Sequence, residues 1–325
     1  MNRRGLLKLG ATATLSRLLA GCERFVVIDP RVDPELSPIT PIGEFYRYQV
    51  LGYPTLDPAT HEHLVAHEDT ALARFDRAFL QSLPARDKEH TLQCIGSSPA
   101  VQRIGNAVWT GLPLVEILHA LGVSVPPEAV GLRIDGLDGY DAGLPIGDLP
   151  SLWLVWGMNG ETLPLEHGAP ARLLVPGRYG VKNLKWITAI TFVDEPHVSF
   201  WSEAINGGWS EEASYRANTL VAHPLDGAPV DEGTVRFIGT AFAGEDAIAA
   251  VEVQLDGGPW RPATLDYAPG PGVWVLWSID LELDRGAHEA QVRCTTEGGV
   301  TSSLEPFGTD PLGGYDGSMQ VTVFA

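Results

Sequence analysis

The 325-residue sequence predicts an α+β protein of two domains, a mixed α/β domain followed by an all-β sandwich. Length is the first observation: a single hydrophobic core rarely grows beyond ~250 residues, so a chain this long divides into two. Second, from Glu44 to about Pro196 short β-rich runs alternate with loops and a few helical windows such as Pro113 to Leu121. Third, from Asn218 onward strand-like runs recur at regular spacing between Gly, Pro and Asp. Hydrophobic residues make up 44% of the chain and charged residues 19%, enough apolar surface to offset the ordering entropy of a folded core.

Taken in chain order, residues 1–22 do not read as fold. Arg3-Arg4-Gly5-Leu6-Leu7-Lys8 opens a weakly apolar stretch that ends in Leu19-Ala20-Gly21-Cys22. This resembles a twin-arginine export signal feeding a lipobox. The expectation is an exported protein, periplasmic or at the cell surface, in which Cys22 becomes a lipidated first residue. Membrane attachment would come through that lipid anchor, because no later run approaches ~18 consecutive apolar residues. Residues 23–43 carry Pro30, Pro34, Pro38 and Pro41 among charges, a composition that favours an extended linker. The first domain then covers residues 44–200 and the second residues 218–325.

The second domain shows the clearest pattern. Val273, Val275, Trp277, Ile279, Leu281 and Leu283 fall on one face of a period-two run. Val251, Val253 and Leu255 form another, which ends at the turn signal Asp256-Gly257-Gly258. Several such strands in about 105 residues argue for a β-sandwich of immunoglobulin type. Cys294 is in phase with Ala290 and Val292 and reads as a small buried hydrophobe. Three cysteines are too few for a disulfide framework.

Charge excludes one class of partner. Against 22 basic residues stand 41 acidic ones, a formal net charge of -19, which repels nucleic-acid phosphates and would attract a soluble redox protein with a basic face. No G-x-S-x-G, Walker or G-x-G-x-x-G run occurs, so serine hydrolase and nucleotide readings lack a foothold. His61, His63 and His67 lack zincin spacing, since Val65 sits where that motif needs histidine.

One segment inverts the general acidity. Between Glu166 and Asp194 there is no carboxylate, yet Arg172, Arg178, Lys182 and Lys185 all fall there. Pro176-Gly177 and Gly180 let backbone amides approach a ligand closely, and His167 adds a donor. This is what an anionic group such as a phosphate needs, although a solvated turn facing neighbouring carboxylates has the same composition. Cys94 follows Thr91-Leu92-Gln93 and precedes Ile95-Gly96-Ser97-Ser98-Pro99, so a strand delivers it to a small-residue loop. Such a thiol attacks a substrate, binds a soft metal or is simply buried.

Together these residues resemble the sulfite oxidase family of molybdenum enzymes. The resemblance rests on five ordered blocks: Thr91 to Cys94, Ile104 to Gly111, Asp138-Gly139-Tyr140, Met158 to Leu173 with His167-Gly168-Ala169-Pro170-Ala171-Arg172 inside it, and Pro176 to Trp186. It implies a sulfite-oxidase-type catalytic domain followed by an immunoglobulin-like dimerisation domain, hence a homodimer. It implies a molybdopterin cofactor whose molybdenum is held by the Cys94 thiolate, a soft ligand completing a sulfur-rich set. His167, Arg172 and Lys185 would hold the pterin's phosphate arm, with Arg178, Lys182 and Asn183 on the adjoining loop. Tyr140 would steer a proton beside the metal and Trp109 would wall the pocket, although a loop tyrosine and a core tryptophan answer equally to those positions.

The implied activity is oxygen-atom transfer between the metal and a small substrate, with electrons passing to or from a separate redox protein such as a cytochrome. Departures from the family's pattern point away from sulfite itself. The loop after Cys94 reads Ser97-Ser98, with Arg103 the nearest guanidinium, and Arg47-Tyr48-Gln49 replaces the family's Arg-Asn-His. A dianion would forgo charge-assisted bonds of about 1.5 to 3 kcal/mol each. Reduction of a sulfoxide-like oxide on the same fold is one alternative, and a non-catalytic lipoprotein scaffold is another.

Overall fold

The computed structural model describes residues 36–49, 52–58, 60–304 and 313–325. The expected signal, its Cys22 and most of the linker lie outside the described residues.

Four sheets carry the architecture. The first has the order β2 (Thr70–Asp76), β1 (Glu62–His67), β10 (Ile187–Val193), β5 (Gly131–Gly136), β6 (Asp141–Pro145). The second runs β3 (Arg86–Gln93), β4 (Ile104–Pro113), β7 (Trp153–Met158), β8 (Glu161–Thr162), with β9 (Arg172–Leu174) also paired to β7. The third runs β11 (Asn218–His223), β13 (Gly233–Phe242), β17 (Val275–Leu283), β16 (Thr264–Tyr267). The fourth runs β12 (Ala228–Pro229), β19 (Met319–Phe324), β18 (Ala287–Thr296), β14 (Ile248–Leu255), β15 (Arg261–Pro262).

Helix is scarcer than the α+β expectation. Among the described residues the α-helices are α1 (Arg77–Ser82), six residues, and α2 (Leu114–Ala120), seven residues, beside short 3-10 turns. The reason is local. Asp76 starts α1 by accepting the Phe79 amide at 2.8 Å, and an extended Leu83 ends it. Leu114, Ile117 and Leu118 bury one side of α2, but Gly122 at φ +71° stops it after two turns. No helix among the described residues is long and apolar enough to cross a membrane.

The period-two pattern of the C-terminal part is realised. Val275, Trp277, Leu281 and Leu283 of β17 meet Val251, Val253, Val292, Cys294 and Val321 of the facing sheet in one core, each large side chain contributing about 2 kcal/mol by burial. Cys294 is fully buried there, and Asp256 and Gly257 take positive φ at the turn the sequence signals. A second core lies between the first sheet and the two helices, built from Val65, Leu80, Ile117, Ile134 and Phe192 among others. A third, with Phe45, Leu92, Ala107, Trp109 and Leu174, backs the cavity described next.

The strand that carries the cysteine is fastened from behind by the C-terminal part. Thr91 donates its amide to Gly272 O at 2.9 Å, and its hydroxyl oxygen accepts the Trp274 amide at 2.8 Å. The Gln93 and Asn218 side-chain amides pair reciprocally at 2.9 and 3.0 Å.

Candidate active site

β3 ends at Gln93, and the next residue opens a closed loop. The Cys94 amide donates to Arg103 O at 2.9 Å, the Ser97 amide donates to Cys94 O at 2.9 Å, and Ser97 Oγ accepts the Arg103 amide at 3.1 Å. These bonds hold the thiol at the edge of a cavity of about 390 Å³, with the residue 8% exposed. Gly180 packs beside this loop: a Cβ there would sit 2.9 Å from Tyr46 Oη, 3.3 Å from Gln93 O and 3.7 Å from Cys94 Cα, so a larger residue would push Tyr46 aside.

The two ends of the cavity differ. Around Cys94 the wall is aromatic, formed by Tyr46, Tyr48, Tyr140, Trp201 and Trp209, with Arg103 as the guanidinium at that end. Arg103 lies 5.3 Å from the Tyr48 ring centroid, stacked as a cation on a π face. Tyr140 donates its hydroxyl to Val181 O at 2.6 Å, and burial, then the neighbouring Asp141, raise its pKa well above the ordinary phenol range. The hydroxyl is therefore a neutral donor at any physiological pH.

The far end is cationic. Arg172, buried at 6% exposure, donates from Nη1 to His167 O and from Nη2 to Asn183 O, both at 3.1 Å, and stacks 4.9 Å over Trp109. Its Nε is buried without a hydrogen-bond partner. Lys185 Nζ lies 3.2 Å from Glu166 O and 4.1 Å from the Trp186 ring centroid. Burial, then the adjacent Arg172 charge, lower the Lys185 pKa to about 7. Lys185 Nζ also reaches Gln49 Oε1 at 3.4 Å, so both cations meet neutral acceptors and rings, an arrangement that an anion in the cavity would complete.

The predicted residues thus separate. Cys94, Tyr140, Arg172, Asn183 and Lys185 line one cavity. Arg178 and Lys182 do not line it, and acids from elsewhere in the chain pair with them. Arg178 pairs with Asp148 at 3.1 Å and donates to Glu212 O at 2.6 Å, and Lys182 is buried against Gly143, Ser199 and Glu211. His167 is also off the wall: its Nε2 meets Ile42 O at 3.0 Å, its ring packs edge-on against Phe45, and burial lowers its pKa to about 4. Its backbone carbonyl accepts from Arg172. Trp109 is fully buried with Nε1 donating to His90 O at 3.0 Å, so it is the shelf beneath Arg172, not a wall. The Asn183 side chain braces its own turn through Val175 N, Arg178 O and Tyr179 O.

Tyr46, Trp201 and Trp209 escape the sequence reading. Their signal is two tryptophans in the stretch Phe200-Trp201 to Gly208-Trp209 between the two expected domains, where a polar linker would carry few aromatics.

Residues 50–201 match the family described as the oxidoreductase molybdopterin binding domain. The chain is 27% identical over 301 residues to mitochondrial sulfite oxidase of Homo sapiens, covering 79% of this chain and 55% of that protein. It is 27% identical over 327 residues to sulfite oxidase of Arabidopsis thaliana, covering 81% and 82%. The chain thus spans about half the length of the animal relatives. In fold it is similar to the sulfane dehydrogenase SoxCD of Paracoccus pantotrophus, with a TM-score of 0.79 at 20% identity over 98% of this chain and 93% of that one.

The residues fit the group such a domain carries. The unpartnered Arg172 Nε and the Lys185 ammonium suit an anionic phosphate arm, and the Cys94 thiol at the other end suits a soft metal. Residues 50–201 thus match a molybdopterin-binding oxidoreductase domain, and the chain is similar in sequence to sulfite oxidases and in fold to a sulfane dehydrogenase.

Proposed function

We propose that this chain is an oxygen-atom-transfer oxidoreductase for a small organic substrate, in which the Cys94 thiolate would hold the molybdenum and a separate redox protein such as a cytochrome would exchange the electrons. The single observation that carries the reading is one cavity that joins the Cys94 thiol to Arg172 and Lys185, residues some eighty positions apart. When bound, the cofactor supplies two-electron redox chemistry coupled to oxygen-atom transfer.

The chain's own residues do the rest. Arg172 and Lys185 hold the phosphate arm, and Trp109 beneath Arg172 keeps the guanidinium in plane for it. Asn183 fixes the turn whose Val181 carbonyl orients the Tyr140 hydroxyl, so that a proton is stored beside the thiol end. Tyr48, Trp201 and Trp209 exclude water from that end.

The wall also favours one class of substrate. Arg172 and Lys185 serve the cofactor arm, which leaves Arg103 as the guanidinium near Cys94 among aromatic rings. A compact dianion such as sulfite would lack its clamp there, whereas a sulfoxide-like oxide or the corresponding thioether buries apolar surface against the rings.

The proposal extends to organisation. Residues 44–200 form the cofactor-binding domain, and the two C-terminal sheets form an immunoglobulin-like unit that pairs two copies about a two-fold axis. The twin-arginine signal exports the chain, and Cys22 anchors it by lipid at the periplasmic or cell surface. The test is Cys94→Ser on the holoenzyme. Turnover of a sulfoxide with an artificial electron carrier should vanish and molybdenum content should fall, while the pterin stays bound; an undiminished rate refutes the reading.

A further inference from the structure

The mechanism above makes no use of Lys182, although it is one of the largest fully buried side chains, at 2% exposure. Its ammonium makes three contacts: Gly143 O at 3.0 Å, Ser199 Oγ at 2.5 Å and Glu211 Oε1 at 2.5 Å. Those partners are connected in turn. Ser199 Oγ donates to Glu211 Oε1 at 2.6 Å, the Ser199 amide donates to Glu211 Oε2 at 3.0 Å, and Ser199 Oγ accepts the Gly143 amide at 2.8 Å.

The location of this network matters more than its size. Lys182 belongs to the turn 180–183, whose other three residues line the cavity floor. Ser199 and Glu211 bracket the segment that carries Trp201 and Trp209, two of its aromatic walls. That segment contains no strand, only two three-residue 3-10 turns. Ile205 within it is 90% exposed and Val198 beside it 56% exposed, so these two aliphatic residues add no burial that fixes it. Its other anchors are the Phe200 amide, which donates to Asp141 at 3.0 Å, His197 at 3.2 Å from the same carboxylate, and rings: Phe200 against Tyr140 at 5.6 Å, Trp201 against Tyr48 at 6.4 Å and Trp209 against the Ile95 cluster. At Gly143 the segment runs so close that a Cβ would meet His197 O at 1.9 Å.

We infer that Lys182 is a positioning residue: with Ser199 and Glu211 it ties the cavity floor to the Trp201–Trp209 segment and so sets the shape of the substrate end. The inference rests on the reading that this cavity receives the substrate. A buried ammonium with three acceptors is a strong local fastener, because each bond is charge-assisted and losing it strands buried partners. Substrates of the aromatic-walled end therefore depend on a residue that touches none of them.

The holoenzyme tests this with Lys182→Met and, because the carboxylate is 44% exposed and its replacement tolerable to folding, Glu211→Gln. Hydrogen exchange should accelerate about tenfold at amides between Ser199 and Ala213 in both variants and nowhere else. Acrylamide quenching of tryptophan emission should rise, and the rise should disappear when Trp201 and Trp209 are both replaced by Phe. Molybdenum and pterin content should stay at the wild-type level. Unchanged exchange and quenching overturn the inference, and so does loss of pterin from Lys182→Met, which would return Lys182 to the cofactor arm. Wild-type protein without molybdenum would instead sink the functional reading, and the exchange comparison would still stand by itself.

Discussion

Protein prepared from cells unable to make the pterin should become more stable as pH rises above neutrality, and Lys185→Met should remove that gain. In the unfolded chain Lys185 keeps its proton up to its ordinary value of 10.5, whereas in the folded cavity burial and Arg172 lower that value to about 7. Between these values the folded chain binds fewer protons than the unfolded one, so stability increases with pH across the window. Below about 7 both states hold the proton and the full penalty of a buried charge persists. One pKa unit corresponds to about 1.4 kcal/mol, and allowing for solvent screening at this partly exposed site leaves about 1 kcal/mol per pH unit. Urea denaturation at pH 7 and pH 9 should therefore differ by about 2 kcal/mol in the cofactor-free wild type beyond the difference in Lys185→Met. The loaded enzyme should show little of this slope, because an anion beside the ammonium stabilises its charged form. Equal slopes for wild type and variant without cofactor would refute the claim that an uncompensated cation sits there.

Other outcomes follow from the same geometry. Tyr140→Phe leaves Val181 O without its donor, which should cost about 1 kcal/mol by thermal or urea unfolding and slow turnover by about 10²-fold if the hydroxyl handles a proton. Gly180→Ala places a methyl against Tyr46 Oη and should destabilise by about 1 to 3 kcal/mol; if the variant folds, saturation kinetics should show weakened use of bulky sulfoxides first. Sedimentation at micromolar concentration should report a dimer, and removing residues 1–22 should leave that result unchanged.

Much of the C-terminal part was legible in advance because a strand writes its burial in the simplest period. Val275, Trp277, Leu281 and Leu283 alternate with Asp280 and Glu282, and the structure buries the first set in the core. The charge inversion between Glu166 and Asp194 was equally legible as a cationic segment, and Arg172 and Lys185 do face the cavity. The sorting among its cations was not. Arg178 and Lys182 have the same composition around them, and what turns them away are Asp148, Glu211 and Glu212, carboxylates contributed from distant positions. The placement of His167 was hidden for a related reason: the carbonyl of Ile42 that engages its ring comes from the N-terminal edge. Trp201 and Trp209 stand in a segment without periodicity, so nothing in the local pattern announced which way they point.

The fastening of Thr91 and Gln93 by Gly272, Trp274 and Asn218 bears on any attempt to treat the front half as a transplantable cassette. None of the residues lining the cavity lies beyond Trp209, so a cut after that point would seem harmless to the chemistry. It would leave the Thr91 hydroxyl and amide and the Gln93 carboxamide without these partners on the strand that aims the thiol. The thiol's position is thus set partly by a neighbour that never lines the cavity, and shortening the chain there should blunt catalysis without removing a single cavity residue.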